Sequence, residues 1–462
     1  MSLSDRLREA ARPAERIALE GQNAWSADTA ATDAVSELKR RAQDALFARL
    51  GVRLFDSTLT EGQLQAFVAQ EITELMSSAV VPLSVAERHR LADDIIDDVV
   101  GLGPLERLLA DDSVTEVMVN STDPIYVERD GVIEQTETRF VSLDHLRRVI
   151  ERIVAQVGRR IDESSPMVDA RLADGSRINA VIPPLAVDGP VLTVRKFGRE
   201  SLHIDDLMRL ATLNRPVADL LAACVRGGLT VLVSGGTGTG KTTFLNALSS
   251  FVPEDERIVT IEDAVELQLN QRHVIRLESR PPNIEGRGEV TIRDLVRNAL
   301  RMRPDRIIVG EVRGVEAFDM LQAMNTGHDG SLSTIHANSA RDALSRLETM
   351  VLMAGMDLPT RAIREQIVSA LHVMVHMHRF RDGSRRVTQV SDVVGLQGDE
   401  IVLADIFAID YAAGFGTDGR FQGELWPTGA QPTFASHLAD LGIALPEVLL
   451  QEADPLAPQR RW

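Results

Sequence analysis

The chain has 462 residues, of which 44% are hydrophobic, and a chain of this length typically forms roughly two to four domains. Its formal net charge of −18 argues against a protein that coats nucleic acid, although a local basic groove remains compatible with that charge. The single cysteine, Cys224, excludes a disulfide framework and a tetracysteine zinc module. Because it lies in an apolar helical stretch, Cys224 is predicted to be a small core residue.

The first part of the chain is predicted to comprise a mobile, polar segment over residues 1–30 and a helical region over residues 31–100. The pattern Ser84-x-x-Glu87 is typical of a capping box that begins a helix. Four aspartates of that helix lie between Asp93 and Asp98. A solvated face is favoured for them over a magnesium site, because magnesium needs a fixed cage of oxygen ligands.

Direct membrane insertion is not indicated by the sequence. No apolar run approaches the roughly 18 residues of a membrane-spanning helix. The first residues, Met1-Ser-Leu-Ser-Asp-Arg, lack the apolar region of a signal peptide. We therefore expect a cytoplasmic protein.

A small α+β domain is predicted over residues 101–205. Its short apolar runs predict strands, and Asp130-Gly131 between two of them is typical of a hairpin turn. The predicted strands lie at 114–119, 125–128, 132–135, 177–181 and 191–196, and the predicted helix at 143–157. Residues 198–210 are predicted to connect this domain to the next.

The most informative motif is a P-loop pattern, Gly235-x-x-x-x-Gly240-Lys241-Thr242. Its glycines let successive backbone N–H groups point at a phosphate. Lys241 adds a positive charge for the β- and γ-phosphates, and the Thr242 hydroxyl is suited to ligate Mg²⁺. A dinucleotide fingerprint is disfavoured because the glycines are not spaced as Gly-x-Gly-x-x-Gly, and the remaining alternative is a glycine-rich turn without a ligand.

Strands and helices alternate on both sides of the P-loop, which predicts a mostly parallel sheet with helices on both faces. The preceding strand is predicted at 229–233 and the following helix at 243–250, so that the helix N-terminus faces the anion. Further strands are predicted at 258–261, 306–309, 331–334 and 385–390, and further helices at 292–301, 314–324 and 340–353.

Polar residues follow three of these strands, at the edge where open α/β sheets bind ligands. They are Glu262, Glu311 and His336. Glycine at position 310 stands where a Walker B aspartate usually binds the metal-bound water, so Glu311 is the natural group to orient an attacking water. A neutral imidazole in the third segment can donate a hydrogen bond to the γ-phosphate. Each of these residues alone also fits a structural role, as a helix cap, an exposed acid or a core histidine.

Other chemistries find less support. His328 and His336 are eight residues apart across a strand with no cysteine nearby, which is not a typical zinc pattern. No nucleophile-elbow pattern indicates a catalytic serine. No lid or acceptor pocket of a small-molecule kinase is recognisable either.

Together these motifs resemble the secretion ATPases of type II and type IV systems. The resemblance rests on the P-loop at 235–242, the Asp box at 260–266, the glycine-bearing Walker B segment at 306–313 and the His box at 328–338. It extends to residues 101–106, 161–177, 385–395 and 405–407, and it covers roughly residues 80–445. The lack of a tetracysteine module and the predicted helices over residues 35–100 favour the CpaF-like motor of the Tad/Flp pilus.

The resemblance implies a RecA-like P-loop ATPase domain with a C-terminal extension over residues 206–462, preceded by the α+β N-domain and the N-terminal helical segment. It also implies a homo-hexameric ring of two-lobed subunits, with ATP and Mg²⁺ as cofactors. The implied phosphate-binding residues are Gly235, Gly236, Thr237, Gly238, Thr239, Gly240, Lys241, Thr242 and Thr243.

Several further roles are implied residue by residue. Glu262, with Thr242, would lie near the metal, Glu311 would be the catalytic glutamate, and His336 matches the His-box histidine. Arg177 and Arg195 match N-domain arginines that close onto the phosphates, and Arg171 is a further candidate. Without the resemblance, these arginines would be interpreted as ordinary surface residues beside a turn.

The implied function is a cytoplasmic ATPase motor for pilus assembly or secretion. Its implied partner is a polytopic inner-membrane platform protein, and stable nucleic-acid binding is not expected. A conjugation-type or DNA-translocating ATPase and a nucleotide-gated scaffold stay open as alternatives.

Overall fold

The computed structural model describes residues 101–129, 131–140, 142–172, 174–197, 202–282 and 286–450, together with Gln70. The predicted mobile segment 1–30 lies outside the described residues, as does the predicted helical region 31–100 apart from Gln70. The chain divides into two compact units, Met1–Lys196 and Phe197–Trp462, which are called the first and second unit below.

The first unit has a small α+β fold, as the sequence predicts. Its described elements are α1 (Leu105–Ala110), β1 (Val114–Asn120), β2 (Tyr126–Arg129), β3 (Val132–Gln135), α2 (Leu143–Gln156), β4 (Met167–Arg171), β5 (Arg177–Val181) and β6 (Val191–Arg195). The strands predicted over this region and the helix predicted from residue 143 are confirmed. The strand β4 was not predicted, because only Val168 of its five residues is buried and its alternation is therefore weak.

Among the described residues of the first unit, six strands form one sheet in the order β3-β2-β1-β6-β5-β4, and every neighbouring pair is antiparallel. Alternate residues of β1 and β6, such as Val117 and Val194, are fully buried. They form one apolar cluster with α2, which contributes Leu146 and Ile150. The residues between them, such as Met118 and Thr193, point to the opposite face of the sheet and are half-buried.

The second unit is an α/β fold built on a larger sheet. Its described helices are α3 (Ile204–Arg209), α4 (Arg215–Arg226), α5 (Lys241–Ser249), α6 (Ile292–Ala299), α7 (Glu316–Asn325), α8 (Ala340–Met353), α9 (Thr360–Ala370), α10 (Ala435–Asp440) and α11 (Glu447–Leu450). Its described strands are β7 (Val231–Gly235), β8 (Ile258–Glu262), β9 (Val274–Glu278), β10 (Arg306–Val312), β11 (Leu332–His336), β12 (Val373–Arg379), β13 (Arg385–Gln397), β14 (Glu400–Ile409) and β15 (Leu425–Pro427).

Within the described part of the second unit, nine strands form one sheet in the order β15-β14-β13-β12-β7-β11-β10-β8-β9. The run from β12 to β9 is parallel, whereas β13, β14 and β15 extend it in antiparallel fashion. The predicted mostly parallel sheet is thus confirmed, and the parallel part has the RecA-like arrangement, in which the P-loop follows a central strand.

Both faces of this sheet are covered by helices. Val231 and Val233 of β7 belong to one apolar cluster with residues of α4 and α5. Leu232, which points the other way, belongs to a second cluster with residues of α6, α7, α8 and α9. All three side chains have no exposed surface, as expected for a strand that is buried on both faces.

Several boundaries differ from the predictions for a common physical reason. The strand β7 is Val231–Gly235 rather than 229–233, and α5 begins at Lys241 rather than at 243. Strand pairing extends β7 into the first P-loop glycine, because Gly235 pairs with His336 and Met377.

Strands β9 and β14 and helix α9 were not predicted, and the predicted connection 198–210 contains α3.

A buried histidine joins the P-loop strand to its neighbour. His376 of β12 pairs with Ser234 of β7, and its Nδ1 lies 2.9 Å from the Ser234 hydroxyl oxygen. Burial, with smaller contributions from the nearby His378 and Lys241, lowers the pKa of His376 from 6.5 to about 4, although the Asn338 backbone and Asp342 act in the opposite direction. The neutral imidazole is therefore the form that fits the folded protein.

This histidine should make the folded state sensitive to acid. Because its folded pKa lies below the unfolded value, its contribution is complete above pH 6.5 and is lost as the pH falls toward 4. From that shift we expect the free energy of unfolding to fall by about 2 kcal/mol as the pH is lowered from 7 to 5, because His376 binds a proton more tightly in the unfolded state. Urea unfolding of the wild type and of His376→Gln should therefore give free energies that converge as the pH falls over this range. Parallel curves would contradict the assignment.

Candidate nucleotide site

The P-loop connects β7 to α5 and is shaped by glycines in a left-handed conformation. Gly238 has φ = +69° and Gly240, which precedes the first residue of α5, has φ = +87°. Residues with a side chain rarely adopt these angles, whereas glycine does so without a steric penalty. The turn directs the N-terminal N–H groups of α5 into the loop, and Lys241 and Thr242 form the first turn of that helix.

Close packing under the loop also requires glycine. A Cβ atom on Gly235 would lie 2.6 Å from the carbonyl oxygen of Met377 and 2.7 Å from the Thr239 hydroxyl oxygen. Thr239 donates a hydrogen bond to the Gly236 carbonyl at 3.0 Å, and the Lys241 ammonium donates to the same carbonyl at 2.9 Å. Thr237, within the loop, and Thr243, in the first turn of α5, are exposed. This cradle of backbone N–H groups with an adjacent lysine fits the phosphates of a nucleotide.

Strand register places the other candidate residues at the same edge as the P-loop. His336 pairs with Gly235, and β10 and β8 are aligned so that Val309 pairs with Ile261. Glu262 and Glu311 therefore come at the carboxyl ends of neighbouring parallel strands. The structure thus brings three separate segments of the sequence to one edge, where open α/β sheets bind ligands.

Glu262 is the most firmly fixed of these side chains. It is 3% exposed, and its Oε2 accepts hydrogen bonds from the backbone N–H groups of Glu266 at 2.8 Å and Leu267 at 3.0 Å. A Cβ atom on Gly310 would lie 2.8 Å from Glu262 Cγ. Glycine therefore stands at the Walker B aspartate position because the Glu262 side chain, reaching across from β8, already fills that space. The carboxylate of this site comes from the neighbouring strand.

Glu311 is oriented by a residue that the sequence reasoning missed. The guanidinium of Arg313 donates to Glu311 Oε2 through Nε at 2.7 Å, and it also contacts Asp263 at 3.2 Å. Arg313 thereby connects the Asp box to the Walker B segment. The contact of Arg313 with Asp263 depends on β8 lying beside β10. The only signal in the sequence was an arginine two residues after the glutamate.

The two histidines of the His box lie at opposite ends of β11. His336 is its last residue and is half-buried at the P-loop edge. His328 precedes the strand, and its Nδ1 lies 3.2 Å from the Ala323 carbonyl oxygen. The side chains of Ser333 and Thr334 donate to the carbonyls of Val309 and Gly310, which secures β11 against β10. Of the two histidines, only His336 is placed at the edge shared by Glu262 and Glu311.

The three candidate arginines of the first unit form a single row. Arg171 pairs with Arg177 across β4 and β5, and Arg177 pairs with Arg195 across β5 and β6. Directly opposed residues of antiparallel strands share a face, and this face is opposite to the one that buries Ile178 and Val194. Like charges in register are destabilising by themselves. The row continues on β1 with Glu116, which is opposed to Arg195, so a carboxylate lies at one end of the three arginines.

Comparison with known proteins identifies the family. Residues 98–400 match the family model described as "Type II/IV secretion system protein". A protein of Mycobacterium tuberculosis whose name assigns it to conjugal transfer is 40% identical over 300 residues, which cover 64% of this chain and 85% of that protein. The type IV secretion system protein PtlH of Bordetella pertussis is 35% identical over 319 residues, which cover 63% of this chain and 93% of PtlH.

A solved structure is similar as well. The VirB11 ATPase from the Brucella suis type IV secretion system, determined in complex with sulphate, is 30% identical, with a TM-score of 0.34, and the match covers 62% of this chain and 94% of that one. The family model alone spans more than half of the chain, and more than two thirds of the M. tuberculosis relative is covered. By its match to the family model and to this relative, the chain belongs to the type II/IV secretion system protein family.

Proposed function

We propose that this protein is an ATP hydrolase whose turnover drives a type IV secretion machine of the conjugation type. The observation that supports it most directly is the shared sheet edge, where the P-loop, the fixed Glu262 and the oriented Glu311 come together. The names of the relatives described above refer to conjugal transfer and type IV secretion. They favour this machine over the Tad/Flp pilus that the sequence resemblance implied.

Each residue at the edge has a role that follows from its chemistry. The P-loop amides and Lys241 would bind the phosphates of ATP, and Thr242 and Glu262 would hold Mg²⁺. The metal ion would neutralise phosphate charge as it develops. Glu311 would orient the attacking water and accept its proton, with Arg313 keeping its carboxylate in position. The half-buried imidazole of His336, at the end of the adjacent strand, would hydrogen-bond to the γ-phosphate.

Two substitutions should separate binding from hydrolysis. Lys241→Ala should abolish both ATP binding and turnover, because it removes the positive charge from the phosphate cradle. Glu311→Gln should retain ATP binding and lower kcat by about a hundredfold or more, since it removes only the group that positions the water. Phosphate release and equilibrium binding of a fluorescent ATP analogue would measure both effects.

A matched control is available on α9. Glu365 is exposed and pairs with Arg361 one helical turn away, so Glu365→Gln makes the same chemical change remote from the sheet edge. It should leave turnover at the wild-type level. Near-normal turnover in Glu311→Gln would transfer the water-positioning role to Glu262. Intact ATP binding together with negligible turnover in the wild type would favour a nucleotide-gated scaffold instead.

We infer that the arginine row of the first unit, Arg171, Arg177 and Arg195, acts on the phosphates of the nucleotide, as the family resemblance implies. An arginine–phosphate contact is bidentate, and lysine reproduces the charge without that geometry. Arg177→Lys should therefore lower kcat by about five- to tenfold while changing the affinity for ATP less. Arg147→Lys on α2, where Arg147 forms an exposed pair with Glu151, is the matched control. An equal effect on affinity and kcat, or none on either, would remove Arg177 from this role.

We further propose a homo-hexamer that works at the inner membrane through a polytopic platform protein. No helix among the described residues is both long and apolar enough to cross a bilayer. The net charge of −18 disfavours direct binding to anionic lipids. In cell fractionation, the protein should sediment with membranes when the platform is present and should remain in the supernatant when it is deleted. Equal sedimentation in both cases would contradict a platform-mediated attachment.

A further inference from the structure

A buried polar ring lies directly behind the P-loop edge of the sheet. His376 of β12 is only 6% exposed. It is in register with Ser234, the residue before the first P-loop glycine, and its Nδ1 lies 2.9 Å from the Ser234 hydroxyl oxygen. On its other side, Ser234 pairs with Ile335, the residue before His336. The imidazole is therefore one residue away from the level at which the P-loop and His336 meet.

The same ring contacts the chain that follows β11. Burial lowers the pKa of His376, and a hydrogen bond with the backbone of Asn338 partly opposes this decrease. A backbone N–H that donated to the ring would lower the pKa further, so the partner is the Asn338 carbonyl. A neutral imidazole has one N–H and one acceptor nitrogen. It can therefore accept from the Ser234 hydroxyl and donate to the Asn338 carbonyl at the same time.

This bridge joins two segments at the point where they diverge. His336 pairs with Gly235, and the Ala337 N–H donates to the Gly235 carbonyl at 3.3 Å. The P-loop then turns toward α5, whereas the chain after Asn338 enters α8 with Ser339 as its N-cap. The contact of the imidazole with Asn338 thus holds the segment after His336 beyond the paired part of the strands.

An irregularity of the sheet supports the backbone that carries the imidazole. His376 is opposed to Gln389, but the next residue, Met377, is opposed to Val387. Thr388 is the extra residue of this bulge, and its hydroxyl donates to the His376 carbonyl at 3.3 Å. A bulge bends its strand and changes the direction of nearby side chains. His376 is therefore held by β13 on the side away from β7.

We propose that His376 is a positioning residue of the hydrolysis reaction, which holds the segment after β11 against the P-loop strand so that His336 meets the γ-phosphate. This rests on the proposed ATP hydrolase function and on the proposed role of His336. The first P-loop glycine, Gly235, is already paired on both sides, with His336 and with Met377. Loss of the bridge should therefore affect the step that involves the γ-phosphate more than the binding of the nucleotide.

The test measures ATP hydrolysis and ADP binding by the full chain. His376→Ala should lower kcat by about three- to tenfold, as expected for the loss of one hydrogen bond, and should change the affinity for ADP by less than about twofold. His376→Gln should recover most of the lost kcat, because an amide can still donate and accept. Ser234→Ala removes only the hydroxyl partner and should lower kcat in the same direction.

A matched control lies at the other end of the same strand pair. His372 precedes β12 and is half-buried, and its Nδ1 accepts from the Thr230 N–H at 3.2 Å. His372→Ala therefore removes an imidazole hydrogen bond next to the same two strands, at the edge away from the P-loop. It should lower the free energy of unfolding in urea and leave kcat at the wild-type level.

A double substitution separates positioning from a general loss of packing. If His376 acts through His336, adding His376→Ala to His336→Gln should lower kcat little further. Should His376→Ala fail to fold, Ser234→Ala takes its place in this comparison. Effects that multiply, a wild-type kcat in His376→Ala, or equal losses of kcat in His372→Ala and His376→Ala would each overturn the proposal. Unchanged ATP binding in Lys241→Ala would instead overturn the nucleotide site itself.

Discussion

The central constraint in this protein is the position of β7 between two parallel neighbours. Val231 and Val233 are buried in one apolar cluster and Leu232 in the other, so the strand cannot shift without exposing a core face. Its last residue, Gly235, approaches the carbonyl of Met377 so closely that no side chain fits. The shape of the P-loop, the start of α5 and the placement of the β12–β13 hairpin all depend on this packing.

The order of the strands also explains which residues supply the carboxylates at this edge of the sheet. With β8 beside β10, the side chain of Glu262 occupies the space over Gly310, and its position is fixed by two backbone N–H groups. Glu311 then remains available one residue later, oriented by Arg313. A buried carboxylate is costly unless it is hydrogen-bonded, and the backbone donors meet that requirement. The placement of the two glutamates at the ends of neighbouring strands is therefore a consequence of strand order.

Local clusters of arginine contrast with the acidic composition of the whole chain. The chain is strongly acidic, yet arginines align in register in both units: Arg171, Arg177 and Arg195 in the first, and Arg379 with Arg385 in the second. In the first unit the row of arginines ends beside a carboxylate, because Glu116 of β1 is opposed to Arg195.

The sequence by itself determined the elements whose signals are local. The P-loop glycines, the alternation of strands and helices and the helix from Leu143 were predictable, because turn chemistry and hydrophobic periodicity depend on neighbouring residues. The candidate residues Glu262, Glu311 and His336 were predicted as a group because each follows a strand. The tertiary structure alone decided which residues from distant parts of the sequence are neighbours. The reason for glycine at position 310, the link from Arg313 to Asp263 and the opposition of Arg379 to Arg385 all depend on strand order and register. Strand order and register are set by long-range packing, which cannot be inferred from hydrophobic periodicity within a short stretch of sequence.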